Sequence, residues 1–435
     1  MIAPPPGSAD SAARSQLGVV CALGATQTLA WASSTYLPAI LAAPIARDLG
    51  ITRATVFGAF SVSLLVMAAC GPMVGRAIDR AGGRNLLMGS NLVLAAGLLL
   101  LGCAQNTAML FAAWCILGAG MAMGLYDAAF AALVRIYGSE ARKPITGITL
   151  IAGFASTVGW PLSAYLDAQI GWRAACFVWA AMHVLIALPV NWRLIPLPGD
   201  AAASSAAATA TATATAPNHN AAQGAAAPPR RNFALLAIYF AATALVTSAY
   251  ASHLPGLLTA MGAGAAGAVL AASLLGPAQV AARLVEFGVI SRYRVHALVT
   301  ARVATALHPI ACVLLGVFGG AALAADTPAA WGVPVLLAAL FTLLHGAGNG
   351  MITIAKGTLP LALFGPAGYG LTQGWLGVGA RIMQAAAPYA FGVVLESLGG
   401  RAMLALSAVL SVVALAALFM LRPDAHPAAP AAAHG

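Results

Sequence analysis

From near residue 16 to residue 421 the chain repeats apolar runs of roughly 20 residues, separated by short polar breaks. A run of that length crosses a hydrocarbon layer of about 30 Å as a helix and satisfies its own backbone hydrogen bonds there. With 61% hydrophobic and only 7% charged residues the chain is far from a soluble domain, where about 25% are charged. The mean hydropathy of +0.89 agrees. The pattern predicts an all-α polytopic membrane protein with twelve spans, near 16–41, 54–77, 85–104, 107–136, 144–168, 173–192, 233–258, 265–289, 297–319, 331–358, 368–395 and 401–421. The first run is too long for a signal peptide and lacks a charged start, so it reads as a span.

Basic residues near span ends set orientation. With the N-terminus inside, Arg14, Arg76, Arg80, Arg84, Arg135, Arg142, Lys143, Arg193, Arg230, Arg231, Arg292, Arg294, Lys356 and Arg422 fall on the cytoplasmic side, and Arg47, Arg53, Arg173 and Arg401 outside. The expectation is a plasma (inner) membrane protein with both termini cytoplasmic. The formal charge of +10 is therefore topological and does not point to nucleic acid. The six cysteines all fall within predicted spans without CxxC or ligand spacing, and read as small buried residues rather than as thiol chemistry or a metal site.

Residues 196–231 form a low-complexity Ala/Thr/Pro tract without apolar periodicity, the composition of a disordered cytoplasmic linker. It separates two units, 16–195 and 232–422, flanked by tails 1–15 and 423–435. The units resemble each other: TYLPAIL at 35–41 answers SHLPGLL at 252–258, and GAG and GWR at 118 and 171 answer GAG and GGR at 346 and 399, the last two at one offset of 228. Such a parallel repeat places substrate at the interface of the halves near mid-membrane.

The loop after the second span reads GRAIDRAGGR at 75–84, and its Gly75, Asp79, Arg80, Gly82 and Arg84 resemble the signature loop of the major facilitator superfamily. That resemblance implies two six-helix bundles and transport of a small solute by alternating access, without a cofactor, by a monomer in the lipid bilayer. It also implies that Asp79 locks the cytoplasmic side near the start of the eleventh helix. Arg80, Arg84 and Glu140 of the facing loop are the expected companions of that lock. The chain departs from proton-coupled members at Trp114, which stands where many carry an arginine before Gly118, and only Gly159, Trp160 and Pro161 echo the antiporter motif of the fifth span. The phrases ITGITLIAGFASTVGWPL at 145–162, GPAQVAARLVE at 276–286 and GTLPLALFGPAGYG at 357–370 resemble a bacterial branch near the monocarboxylate porters that includes trivalent-arsenical efflux permeases.

Charged groups inside a span are costly and should face protein or water. Arg381, mid-way along the eleventh span with Gln384 on its face, is the candidate for holding a substrate carboxylate; the alternative is a structural pair with an acid on another helix. Arg283 and Glu286, three residues apart, are placed to pair with each other, as a second gate or in the cavity. Asp127 is either a packing-face acid among Gly120, Gly124 and Ala131 or a cavity acid. His345, Asn349, Thr353 and Lys356 share one arc of the tenth span; His345 and Asn349 read as a cavity pair and Lys356 as a residue reaching for the cytoplasmic surface. Tyr36 and His253 precede the repeated Leu-Pro pairs at the outer mouth, while Gln27, Thr28, Trp31 and Ser34 offer either a cavity wall or a packing face. His308 reads as structural. Without GxxxxGK[ST], HExxH or GxSxG, neither an ATP-driven pump nor a hydrolytic enzyme is expected. A small organic anion carried with protons and the efflux of a toxic compound are the two transport readings, and a membrane sensor or scaffold is the rival outside transport.

Overall fold

The computed structural model describes residues 8–196, 229–290, 295–324 and 332–421. Most of the 196–231 tract, residues 1–7 of the N-terminal tail, the C-terminal tail and the basic residues Arg292, Arg294 and Arg422 lie outside these; residues 8–15 of the expected tail begin the first helix instead. The described residues are all-helical. The N-terminal half contains α1 (Ser8–Ser33), α2 (Leu37–Asp48), α3 (Arg53–Ala81), α4 (Arg84–Gly102), α5 (Thr107–Gly124), α6 (Tyr126–Tyr137), α7 (Arg142–Ala152), α8 (Ala155–Met182) and α9 (Leu188–Leu194). The C-terminal half contains α10 (Arg230–Leu258), α11 (Ala265–Ser273), α12 (Leu275–Val285), α13 (Ala297–Ala324), α14 (Gly332–Phe364) and α15 (Tyr369–Met420).

Nine apolar helical stretches among the described residues are long enough to cross a membrane, and two of them, of 88 and 52 residues, are too long for one crossing. Glycines divide them. Gly171 inside α8 (φ 81°, ψ 160°) and Gly399 inside α15 (φ 82°, ψ 176°) leave the helical region, a conformation open to glycine because it has no Cβ. They are the glycines that open the repeated GWR and GGR. With the turn at Gly138, the arrangement is consistent with twelve crossings.

Other breaks are local too. Asn106 and Thr52 cap α5 and α3 by accepting the backbone N–H of Met109 (2.9 Å) and Thr55 (3.2 Å). The first crossing breaks between Ser33 and Leu37, just before Pro38. The fourth breaks at Leu125, whose extended backbone (φ −86°, ψ −172°) starts a new helix with Asp127 in its first turn. Helix N-termini favour negative charge.

Each half buries its own core. Leu37, Leu41, Trp114 and Trp179 sit in the N-terminal one, and Tyr239, Phe240 and Leu376 in the C-terminal one. Each half also seals a polar cluster. In the first, His183 lies 2.7 Å from Ser33 Oγ and 3.0 Å from Asn91 Oδ1. In the second, Tyr250 Oη meets Ser407 Oγ at 2.7 Å beside His308. Ser33 and Asn91 precede Tyr250 and His308 by the same 217 residues that carry TYLPAIL to SHLPGLL, so the repeat extends into the buried polar interior. Of the cysteines, Cys176 and Cys312 are buried while Cys21 and Cys103 are exposed, which corrects the reading of all six as buried.

The halves meet at the end that carries the 75–84 loop. There α3 and α15 touch backbone to backbone: a Cβ on Gly75 would collide with Gly370 O, and one on Gly71 would lie 3.2 Å from Gly374 O. Small residues permit this approach between apolar helices. Every hydrogen bond between the halves, among the described residues, lies in this region or at the centre, and none joins α2 or the first turns of α8's second limb to the far ends of α10, α11 or α15.

Candidate functional site

The centre of the seam is an ion pair between the halves. Arg381 Nη2 donates to Asp127 Oδ2 at 2.9 Å, and its Nη1 donates to Gln384 Oε1 at 2.7 Å. Gln373 Nε2 donates to the other Asp127 oxygen at 3.2 Å. The sequence explains how this is built. Gly370, Gly374 and Gly377 alternate with Gln373, Arg381 and Gln384 along α15, so α6 comes close enough for Asp127 to reach across; a Cβ on Gly377 would lie 3.4 Å from Asp127 Oδ2. The pair lines a narrow cavity with Gly71, Gly75, Gly374 and Gly377. Buried Arg381 Nε and Gln373 Oε1 have no partner there among the described residues.

Lys356 of α14 is half-buried within Coulombic range of both Asp127 and Arg381. Its sequence position suggested a residue reaching for the surface; the structure places it at the charged centre instead, because α14 runs on to Phe364 beyond it. Arg381 alone is ion-paired with Asp127, and Lys356 adds a second cation nearby without bonding to the carboxylate. Gln373 and Lys356 escaped the choice of candidates, although the glycine-spaced polar stripe of α15 was the available signal for the first.

Toward the loop end lie two further links. Asp79 accepts the backbone N–H groups of Gly370 and Leu371, each at 2.8 Å, at the first turn of α15, where the helix dipole favours its charge. Its expected companions do otherwise. Arg84 donates to Trp192 O, Arg80 is exposed, and Glu140 is exposed without hydrogen bond or ion pair among the described residues. Gly75 and Gly82 act through the backbone, the first by close approach and the second by its φ of 81°.

Arg283 and Glu286 do not pair with each other, a correction to the expectation from their spacing. Glu286, 1% exposed, instead accepts from Arg142 Nη2 of the other half at 2.8 Å. Arg142 Nη1 also donates to Val295 O. Arg283 crosses in the opposite direction, its Nη1 donating to Thr149 O at 3.0 Å. Both thus span the halves, which the one-helix view could not reveal.

The arc of α14 divides. Asn349 Oδ1 accepts from Thr247 Oγ1 at 2.9 Å, joining α14 to α10. His345 turns away from the seam and is sealed in the C-terminal half, its Nδ1 2.8 Å from His308 Nδ1 and its ring 4.7 Å from that of Tyr250. The expectation of a cavity histidine is corrected because His308, assigned a separate structural role, supplies its partner. His345→Ala should accordingly lower the thermal unfolding midpoint, leaving His308 short of a buried hydrogen bond that contributes about 1 kcal/mol, and leave the apparent substrate affinity unchanged; unfolding in detergent beside a transport assay checks both.

Away from that end, His253 Nε2 donates to Pro388 O at 2.7 Å and joins α10 to α15. Tyr36 sits in the α1–α2 break, its ring 5.8 Å from that of Trp160 and 6.1 Å from that of Trp31. Gln27 donates to Gly124 O and ties α1 to α5, Thr28 Oγ1 lies within reach of Gly24 O in its own helix and Ile151 O of α7, and Ser34 bonds back to Ala30 O. Among the described residues no group of three or more His, Cys, Asp or Glu gathers to hold a metal ion.

Two helical halves meet around this ion-paired centre, and a family model described as Major Facilitator Superfamily matches residues 23–339. The chain belongs to the major facilitator superfamily. Its fold is that of the human organic anion transporter MFSD10 (TETRAN), a crystal structure matched with a TM-score of 0.59 over 95% of this chain and 100% of that one, at 16% identity. A segment of 127 residues is 34% identical to the Multidrug resistance protein B homolog of two Mycobacterium tuberculosis strains. That match spans 29% of this chain and only 23% of the relative's length. As a superfamily member the chain is a multi-pass membrane transporter.

Proposed function

We propose that the chain is a secondary active transporter of a small organic anion, coupled to protons and working by alternating access. The observation that carries this reading is the Arg381–Asp127 pair at the seam, beside the additional cation of Lys356. A second anion arriving at Arg381 would repel the Asp127 carboxylate. A proton on Asp127 removes that repulsion and frees the guanidinium, so anion and proton bind best together. The unpartnered Arg381 Nε and Gln373 Oε1 supply a donor and an acceptor at the same place. By the positive-inside rule, the end bearing Arg76, Arg80, Arg84, Arg142 and Lys143 is cytoplasmic, as are both termini. Asp79 and the Arg142–Glu286 pair then close the inner side, leaving the pathway open outward.

Purified protein in sealed vesicles tests this. An inward proton gradient should drive uptake of a labelled monocarboxylate, and dissipating the gradient with an uncoupler should stop accumulation above equilibrium. Equal uptake into protein-free vesicles across a panel of organic anions would refute the reading. The second reading, efflux of a toxic compound, is favoured by the multidrug resistance name of the 34%-identical segment; it requires drug-stimulated proton exit in the same vesicles.

A further inference from the structure

We infer that the groove between α3 and α15 binds an anionic phospholipid of the cytoplasmic leaflet, its phosphate on Arg76 and an acyl chain laid between the two helices. The inference does not depend on what the chain transports. The groove encloses about 370 Å³ and lies beside the contact of Gly71 with Gly374. Ala69, Pro72 and Arg76 line it from α3, and Trp375 and Val378 from α15. It stays open because the alanines at 68 and 69 are too short to fill the space that faces them.

Its shape and polarity are those of a phospholipid. Ala69, Pro72, Met73 and Arg76 fall three, one and three positions apart and so form one stripe of α3. Only the Arg76 end of that stripe, near the end of α3 at Ala81, is charged. From Arg76 to Ala68 the helix rises about 12 Å, most of the roughly 15 Å that one leaflet adds to the hydrocarbon core. Met73 and Trp375, 67% and 53% exposed, give an acyl chain its outer walls.

Arg76 is what an ordinary lipid-facing surface lacks. It is exposed and makes no hydrogen bond or ion pair among the described residues. Asp79, the acid three residues along, turns to the seam and accepts the N–H groups of Gly370 and Leu371. Arg80 and Arg84 add like charge at the same end. The mouth of the groove is therefore cationic with no acid committed to it, and basic pockets between helices on the cytoplasmic side attract anionic headgroups. A phosphate can take a guanidinium through two parallel N–H donors. A lipid held this way touches both halves, since α3 belongs to one and α15 to the other. The groove exists only while Gly71 meets Gly374, and a ligand that binds one state stabilises it. The closed inner end thereby becomes sensitive to the charge of the surrounding lipid.

Native mass spectrometry of the full chain in detergent, titrated with phosphatidylglycerol, tests this. Arg76→Gln should weaken the first bound lipid about fivefold, the weight of one basic side chain at an anionic surface, and Arg76→Lys should keep most of the binding. Ala69→Trp fills the groove without altering charge and should weaken binding to a similar degree. General attraction of anionic lipid to a basic surface would leave Ala69→Trp unchanged, and that result would overturn the site. Equal binding of phosphatidylcholine and phosphatidylglycerol by the unaltered chain would reject the anionic headgroup. Glycerol phosphate, the headgroup without chains, should not displace the lipid; displacement at matching concentration would make this a site for free phosphate and remove the lipid from it. Thermal unfolding checks that each variant is folded, and if Ala69→Trp is not, Ala69→Leu decides by the same outcomes.

Discussion

Arg381→Lys should reduce transport about 10- to 100-fold in kcat/KM while leaving the protein in the membrane. Lysine keeps the charge, but it is a point donor and cannot hold Asp127 and Gln384 at once as the guanidinium does through Nη2 and Nη1. The estimate follows from about 1.5–3 kcal/mol for a hydrogen bond to a charged group. Arg381→Ala should be worse, because it strands Asp127 at the seam with Lys356 as its nearest cation. The exchange of both partners, Arg381→Asp with Asp127→Arg, separates two roles. If the pair only braces α6 against α15, the exchange restores function; if Arg381 meets substrate from α15, it does not. Flux in vesicles, with membrane abundance measured alongside, decides. Unchanged affinity and rate in Arg381→Lys would remove the residue from the binding site.

The residues show where reading from the sequence reaches its limit. Hydrophobic length and spacing carry architecture, because a backbone in lipid must be helical; for the same reason the glycines of GWR and GGR could be matched as a repeat before their shared conformation was visible. That Arg381 sits mid-span was equally plain. What it touches was not, since Asp127 lies 254 positions away on another helix. Spacing along one helix misled where a partner across the seam was stronger. Glu286 has Arg283 three residues away, but Arg142 reaches it from α7 and Arg283 is drawn to Thr149 O. His345 shares an arc with Asn349, but a rotation of only part of a turn brings it to His308. Tyr126 reads as core in its apolar helix, and core is where it lies, its ring stacked on Phe130 and tilted against Trp31.

The remaining large effect is expected at the closed end. Asp79→Asn should shift the protein toward states open on the side of the 75–84 loop. The carboxylate accepts two backbone N–H groups at the start of α15; an amide keeps one good acceptor and loses the charge that the helix dipole stabilises by about 0.3–1 kcal/mol. The close approach of Gly71 and Gly75 to Gly374 and Gly370 has no side chains of its own to hold it, so the seam depends on such caps and on Arg142–Glu286. In a cysteine-free background, a cysteine at Ala128, buried beside Asp127, should react faster with a water-soluble thiol reagent applied from that side once Asp79 is changed. Adding Glu286→Gln should raise the rate further, because it leaves Arg142 without its counter-ion. The two locks lie on different helix pairs, α3 with α15 and α7 with the end of α12, so their effects on the labelling rate should multiply. Unaltered labelling in both single variants would mean that backbone packing alone closes this end, and the acids would lose their part in the gate.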